Sequence, residues 1–135
     1  VVHVTNDELA PGHVFELLGF QRVMLPSADY AMQMRVTPQI MNGRGAVQGG
    51  LLATLIDTTA GLALARRKWN YQSAATSQLT ISYLRPVKEG SVTAEATVVR
   101  AGNQQAVVRV DVYARGVEDE HVATAIVTFT TRRRL

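Results

Sequence analysis

The stretch Gly49-Gly50-Leu51-Leu52-Ala53-Thr54-Leu55-Ile56-Asp57-Thr58-Thr59-Ala60-Gly61-Leu62-Ala63-Leu64-Ala65-Arg66-Arg67 decides the fold. It places leucine, isoleucine or alanine on nearly every face of a helix, and a helix that is apolar all round is a buried helix. Arg66, Arg67 and Lys68 close it where cations suit the negative end of the helix dipole, so this basic cluster has a structural explanation. Such a helix needs a sheet on most of its sides.

The flanking chain supplies that sheet, because outside the helix the apolar period changes to two. Downstream, Thr76 to Leu84 alternates through Leu79, Ile81 and Tyr83, and Ser91 to Arg100 through Val92, Ala94, Ala96 and Val98. Gln104 to Arg115 follows with Val108, Val110 and Val112, and Val122 to Thr131 with Ala123, Ala125, Val127 and Phe129. Turns fall at Pro86 to Gly90, at Ala101-Gly102-Asn103 and at Gly116 to Glu120. Upstream, Arg22 to Leu25 and Tyr30 to Val36 read as two strands joined by the turn Pro26 to Asp29, and Thr37 to Val47 reads as a loop. A short helix is expected from Asn6 to Leu18, with Asn6 or Asp7 as cap, Pro11 and Gly12 interrupting it and Gly19 ending it. The sum is an α+β architecture: a curved antiparallel sheet of about six strands, ordered as a meander, wrapped around one long helix. At 135 residues, one domain spanning residues 1–135 is expected.

Composition narrows the function classes. With 47% hydrophobic and 19% charged residues the chain is an ordinary globular protein. It has no cysteine, which excludes disulfides, thiolate metal sites and a cysteine nucleophile and fits a reducing compartment, so the cytoplasm is the expected location. The longest apolar stretch, Leu51 to Ala65, contains Asp57 and is shorter than a membrane span, and the first residues lack a secretory pattern. No membrane partner is expected. The net charge is +3, with basic residues mainly at Arg66 to Lys68 and Arg132 to Arg134, not interleaved with aromatics, so no nucleic-acid partner is expected either. His3, His13 and His121 show no metal-ligand spacing, no Gly-x-Ser-x-Gly elbow is present, and no metal or other cofactor is expected.

The chemistry concentrates at the helix. Asp57 is the only charged residue between Gly49 and Ala65, and a carboxylate is rarely desolvated without a partner. Either it is a structural aspartate, bonded to Thr54 or Thr58 or lying on an exposed stripe, or it is a general base or nucleophile in a cleft. Directly before the helix stands Val47-Gln48-Gly49-Gly50, where first-turn N–H groups have no intrahelical acceptor and the dipole is positive. Two glycines leave those donors unshielded, which allows either close packing or an oxyanion hole for an acyl carbonyl.

The run from Asn42 to Asp57, Asn-Gly-Arg-Gly-Ala-Val-Gln-Gly-Gly-Leu-Leu-Ala-Thr-Leu-Ile-Asp, resembles the signature of the hotdog-fold acyl-CoA thioesterases of the phenylacetate-pathway (PaaI) type. In that family an Asn or Gln is followed six residues later by His-Gly-Gly, and nine residues after the His by an Asp or Glu. Leu79-Thr80-Ile81-Ser82-Tyr83-Leu84-Arg85-Pro86 resembles the strand that follows, so the likeness covers nearly the whole chain. It implies a hotdog fold and hydrolysis of an acyl-CoA, with coenzyme A part of the substrate. It also implies that Asp57 activates water or attacks the thioester carbon, that the Gly49 N–H polarises the carbonyl, that Asn42 orients substrate or water, and that Thr76 places a hydroxyl near the carboxylate. Gln48, Gly50 and Ser77 complete the expected substrate-binding set. Gln48 stands where many members carry His; an amide cannot titrate near neutrality, so a histidine acid or base at that position is excluded. Arg85 and Arg100, at strand ends beside turns, are the candidates to pair with CoA phosphates.

Two other functions are compatible with the same residues. One is a non-catalytic acyl-CoA binding protein, which Gln48 permits and the presence of Asp57 and Asn42 disfavours. The other is a hotdog hydratase or dehydratase, which requires an Asp and His pair that is not evident. An assembly is expected in either case. Gly49 and Asp57 are eight residues apart on one helix, or about 12 Å along its axis at 1.5 Å per residue, more than a carboxylate side chain reaches. A second, antiparallel helix in a two-fold dimer would bring the two groups together. The family resemblance likewise implies a homodimer, often paired again into a homotetramer.

Overall fold

A computed structural model describes residues 10–67, 71–116 and 118–134. Its elements in chain order are α1 (Val14–Leu17), β1 (Gln21–Val23), β2 (Tyr30–Arg35), a 3-10 turn (Pro38–Ile40), α2 (Gly49–Arg66), β3 (Tyr71–Tyr83), β4 (Ser91–Ala101), β5 (Gln105–Arg115) and β6 (Glu120–Arg133). The six strands form one antiparallel sheet in the order β1-β2-β4-β5-β6-β3. The fold is the expected α+β hotdog, a curved sheet against one long helix.

The strand order corrects the expected meander. β1 and β2 form a hairpin and β4, β5 and β6 follow one another, but α2 carries the chain from β2 to the far edge, where β3 pairs with β6. Hydropathy periodicity marks a strand but carries no information about its neighbours. The first helix is also shorter than expected. Ala10 to Gly12 form a turn, and His13 caps the helix by accepting a hydrogen bond on Nδ1 from the Phe15 N–H at 3.1 Å. The proposed caps Asn6 and Asp7, like Lys68 at the end of α2, lie outside the described residues.

Alternating registers build the surface that receives α2. Ala94 faces Val112, which faces Ala123; the next inward row is Ala96, Val110 and Ala125, and the next Val98, Val108 and Val127. Successive inward residues fall on one face because the strand period is two, and the alanines leave room for the helix to approach the middle of the sheet. Leu52, Leu55, Ile56, Ala60, Ala63 and Leu64 fill that space, and Thr59, fully buried among them, satisfies its hydroxyl on the Leu55 carbonyl at 2.6 Å. Burying each such leucine or isoleucine contributes about 1.5–3 kcal/mol.

The helix sits off centre, packing mainly on β4, β2 and β5 and touching β3 and β6 less. Its far stripe, Ala53, Thr54, Asp57, Thr58 and Gly61, is only half-buried within this chain. No residue of β3 is fully buried. Among the described residues no helix is long and apolar enough to cross a membrane.

Candidate active site

The loop before α2 is held by Asn42. Its Oδ1 accepts the backbone N–H groups of Arg44 at 2.8 Å and Ala46 at 3.2 Å, and its own carbonyl accepts the N–H of Gly45 at 3.1 Å. Asparagine at the first position of a turn and glycine at the fourth suit this geometry, and Gly45 takes a positive φ of 75° that other residues resist. The loop is then tied down at both ends: Val47 N–H donates to the Val87 carbonyl at 2.8 Å, and Gln48 N–H to the Ile40 carbonyl at 2.9 Å. Asn42 therefore orients backbone before it orients any ligand.

Gln48 is the cap of α2, but its side chain makes no capping bond; its carbonyl accepts the N–H groups of Leu51 and Leu52 instead. That leaves the N–H groups of Gly49 and Gly50 with no backbone acceptor among the described residues, at the positive end of an 18-residue helix. The groove beside them encloses about 530 Å³ and is lined by Asn42, Arg44, Gly49, Leu52, Tyr83 and Arg85, with Lys88 also on its wall. Asn42, Gly49 and Arg85 from the expected site thus meet in one place. The groove combines apolar walls at Leu52 and Val87, the free backbone donor of Gly49, and the cations Arg44, Arg85 and Lys88.

Asp57 stands two turns further along α2 and does not line that groove. It is half-buried, not sealed in the core, and its partner is neither Thr54 nor Thr58: Thr76 of β3 donates its hydroxyl to Asp57 Oδ1 at 2.7 Å. Thr54 bonds back to the Gly50 carbonyl of its own helix at 3.0 Å. Among the described residues no cation pairs with Asp57, and Oδ2 is left without a partner. Thr76 reaches the helix because β3 carries a bulge there: Thr76 pairs with Phe129 and Gln78 with Thr128, leaving Ser77 as an extra residue. The bulge lets Thr76 on one side of it, and Leu79 and Ile81 on the other, share the helix-facing side despite their odd spacing. Ser77 spends its hydroxyl on the Thr128 carbonyl at 3.2 Å, which stabilises the bulge.

Arg85 donates to the His121 carbonyl at 2.8 Å while lining the Gly49 groove. Arg100 lies elsewhere within this chain, in a second groove with Gly102, Asn103, Gln104 and Arg133. His121 belongs to the sheet face away from α2, where Nε2 stands 2.9 Å from Asp111 Oδ1 and the ring stacks on Tyr113. Among the described residues no three His, Asp or Glu side chains converge to hold a metal ion.

Three residues of the groove were not singled out from sequence: Tyr83, Arg44 and Lys88. Tyr83 donates its hydroxyl to the Gly49 carbonyl at 2.6 Å, and burial pushes its pKa above the usual tyrosine value. In sequence it read only as the last apolar residue of an alternating strand.

Residues 44–121 match the Thioesterase superfamily, more than half of the chain, and the protein belongs to that family. A protein of Halobacterium salinarum named as an esterase is 40% identical over 104 residues, covering 71% of this chain and 68% of its own. Among solved structures, a Bacillus halodurans protein with CoA has a TM-score of 0.79 at 29% identity, covering 91% of this chain and 80% of its own. The E. coli PaaI protein of the phenylacetic acid degradation operon has a TM-score of 0.75 at 27% identity, covering 87% and 83%. Membership of the thioesterase family and the hotdog fold were thus both legible from the Asn42 to Asp57 spacing.

Proposed function

We propose that this protein hydrolyses acyl-CoA thioesters to a free acid and CoA, without a cofactor, in sites shared between two subunits. The observation that carries this reading is the division of the machinery along α2. The free donor at Gly49 opens into a groove at its start, with the Gly50 N–H next to it in the chain, while Asp57 with Thr76 stands outside that groove.

In the proposed reaction the thioester carbonyl lies against the Gly49 N–H, which donates to its oxygen as negative charge develops there, with Asn42 and Gln48 beside it. Asp57 of the other subunit takes a proton from water as the water oxygen attacks the carbonyl carbon and the C–S bond breaks, or it attacks that carbon itself, expelling the thiolate to leave an anhydride that water then hydrolyses to the free acid and the carboxylate of Asp57. A thiol with a pKa of about 8.5 leaves readily as thiolate, so the departing sulfur needs no strong acid at position 48. Arg44, Arg85 and Lys88 give the rim a positive field suited to a phosphorylated leaving group. CoA in the Bacillus halodurans relative supports that assignment.

The dimer is supported by β3. It is an edge strand of 13 residues that carries bulges but no charged residue and no proline, two of the usual devices against edge pairing, whereas the other edge, β1, has three residues. Pairing β3 with its copy would cover this edge and bring the half-buried stripe of α2 with Asp57 toward the partner. A homodimer is therefore the proposed unit, with a homotetramer formed by pairing two dimers.

The test is steady release of free CoA from a panel of aromatic and aliphatic acyl-CoAs, followed with a thiol reagent. Turnover that continues beyond one equivalent per site is expected. Saturable acyl-CoA binding with no thiol release would make this a binding protein and refute hydrolysis.

A further inference from the structure

We infer that Tyr83 is a positioning residue for this reaction: its hydroxyl fixes the Gly49–Gly50 peptide so that the Gly50 N–H joins the Gly49 N–H as a second oxyanion donor. The inference rests on the thioesterase reading above and extends it to a residue outside the Asn42 to Asp57 signature.

The peptide plane supplies the connection. The Gly49 carbonyl and the Gly50 N–H belong to one rigid, planar trans unit, so a bond that holds the carbonyl also sets where the N–H points. Tyr83 makes that bond at 2.6 Å, in addition to the intrahelical bond the same carbonyl accepts. A carbonyl engaged by donors polarises its own amide, which strengthens the N–H as a donor at the other end.

The ring adds a steric constraint. A Cβ built on Gly49 would stand 3.3 Å from both Cζ and the hydroxyl oxygen of Tyr83, closer than ordinary van der Waals contact, whereas one on Gly50 would meet nothing within 4 Å. Gly49 is not among the glycines of positive φ, so backbone conformation does not demand glycine there; the tyrosine does. Tyr83 is itself 51% exposed, and the core does not depend on it. Because burial raises its pKa, the hydroxyl remains a protonated donor through the neutral range.

The experiment compares Tyr83→Phe, Gly50→Pro and the double variant with the wild-type chain, measuring kcat and KM for one acyl-CoA substrate and the melting temperature of each. Tyr83→Phe keeps the ring and removes the hydroxyl. Gly50→Pro removes the N–H in the first turn of the helix, where proline is tolerated and a Cβ would meet nothing within 4 Å. The expected result for Tyr83→Phe is a kcat lowered about tenfold with KM within about twofold, since loss of a full oxyanion donor costs about 100-fold or more and this loss is indirect. In the Gly50→Pro background the same substitution should have little further effect, because both act on one N–H. A near wild-type kcat in Tyr83→Phe, a rise in KM alone, or fully additive losses in the double variant would each overturn the positioning role. Should Tyr83→Phe not fold, a Gly50→Pro protein that folds with unchanged kcat would overturn it instead. A folded wild-type chain that releases no CoA would remove the thioesterase reading and this role with it. That outcome is distinct from an active enzyme indifferent to Tyr83.

Discussion

Replacing Asp57 with Asn removes a base while leaving an acceptor for Thr76, so it separates chemistry from folding. In the wild-type chain the Thr76 hydroxyl donates to Oδ1 at 2.7 Å, and an asparagine Oδ1 can accept the same bond. Hydrogen bonds to a charged group contribute about 1.5–3 kcal/mol and those to a neutral one about 0.5–1.5, so the exchange typically costs about 1 kcal/mol. Asp57 is only half-buried, which reduces the figure further through solvent screening. For a chain of this size, 1 kcal/mol lowers the melting temperature by about 3–4 °C. The loss of the carboxylate's basicity is much larger in rate, a factor on the order of 100 or more in kcat, the scale of a general base. The assay is thiol release under saturating acyl-CoA, with circular dichroism melts on the same samples. A folded Asp57→Asn protein with near wild-type turnover would refute the catalytic assignment. A melting temperature lowered by more than about 10 °C would instead make Asp57 chiefly structural.

Mixing inactive Asp57→Asn subunits with inactive Gly49→Val subunits, whose new side chain would press on Tyr83, should restore activity, because a mixed dimer contains one intact shared site. No recovery after subunit exchange has been confirmed by mass spectrometry would refute the shared geometry. Gln48→His should keep kcat within about tenfold, or about 1.4 kcal/mol in the barrier, since the position serves placement and not proton transfer. Abolished turnover in a folded Gln48→His protein would contradict that. Arg85→Ala should raise KM for CoA thioesters more than for a thioester of a short uncharged thiol, whereas equal KM values would remove Arg85 from phosphate binding. The same comparison on Arg100→Ala decides whether its separate groove belongs to the nucleotide.

Much of this protein is determined locally. The apolar run from Leu51 to Ala65 requires a helix packed on the core, although one stripe of it stays half-buried within this chain, and residues of period two such as Val108, Val110 and Val112 require a strand with one face inward. Both follow from how a helix or strand spaces its side chains, and the structure contains both. The spacing Asn42, Gln48-Gly49-Gly50, Asp57 is likewise a short-range property, because it counts residues along one loop and one helix. What the tertiary structure decided is which distant residues meet. Thr54 and Thr58 were the partners for Asp57 within reach on its own helix, yet its hydrogen bond comes from Thr76, 19 residues away. A bulge at Ser77 determines that contact, and strand alternation does not foretell a bulge. The position of β3 at the sheet edge, and with it the meeting of Tyr83 and Gly49, depends on the α2 crossover, which packs the strand where the helix and β6 leave room. Periodicity specifies which face of an element is buried, and only the closure of the whole chain specifies what lies against it.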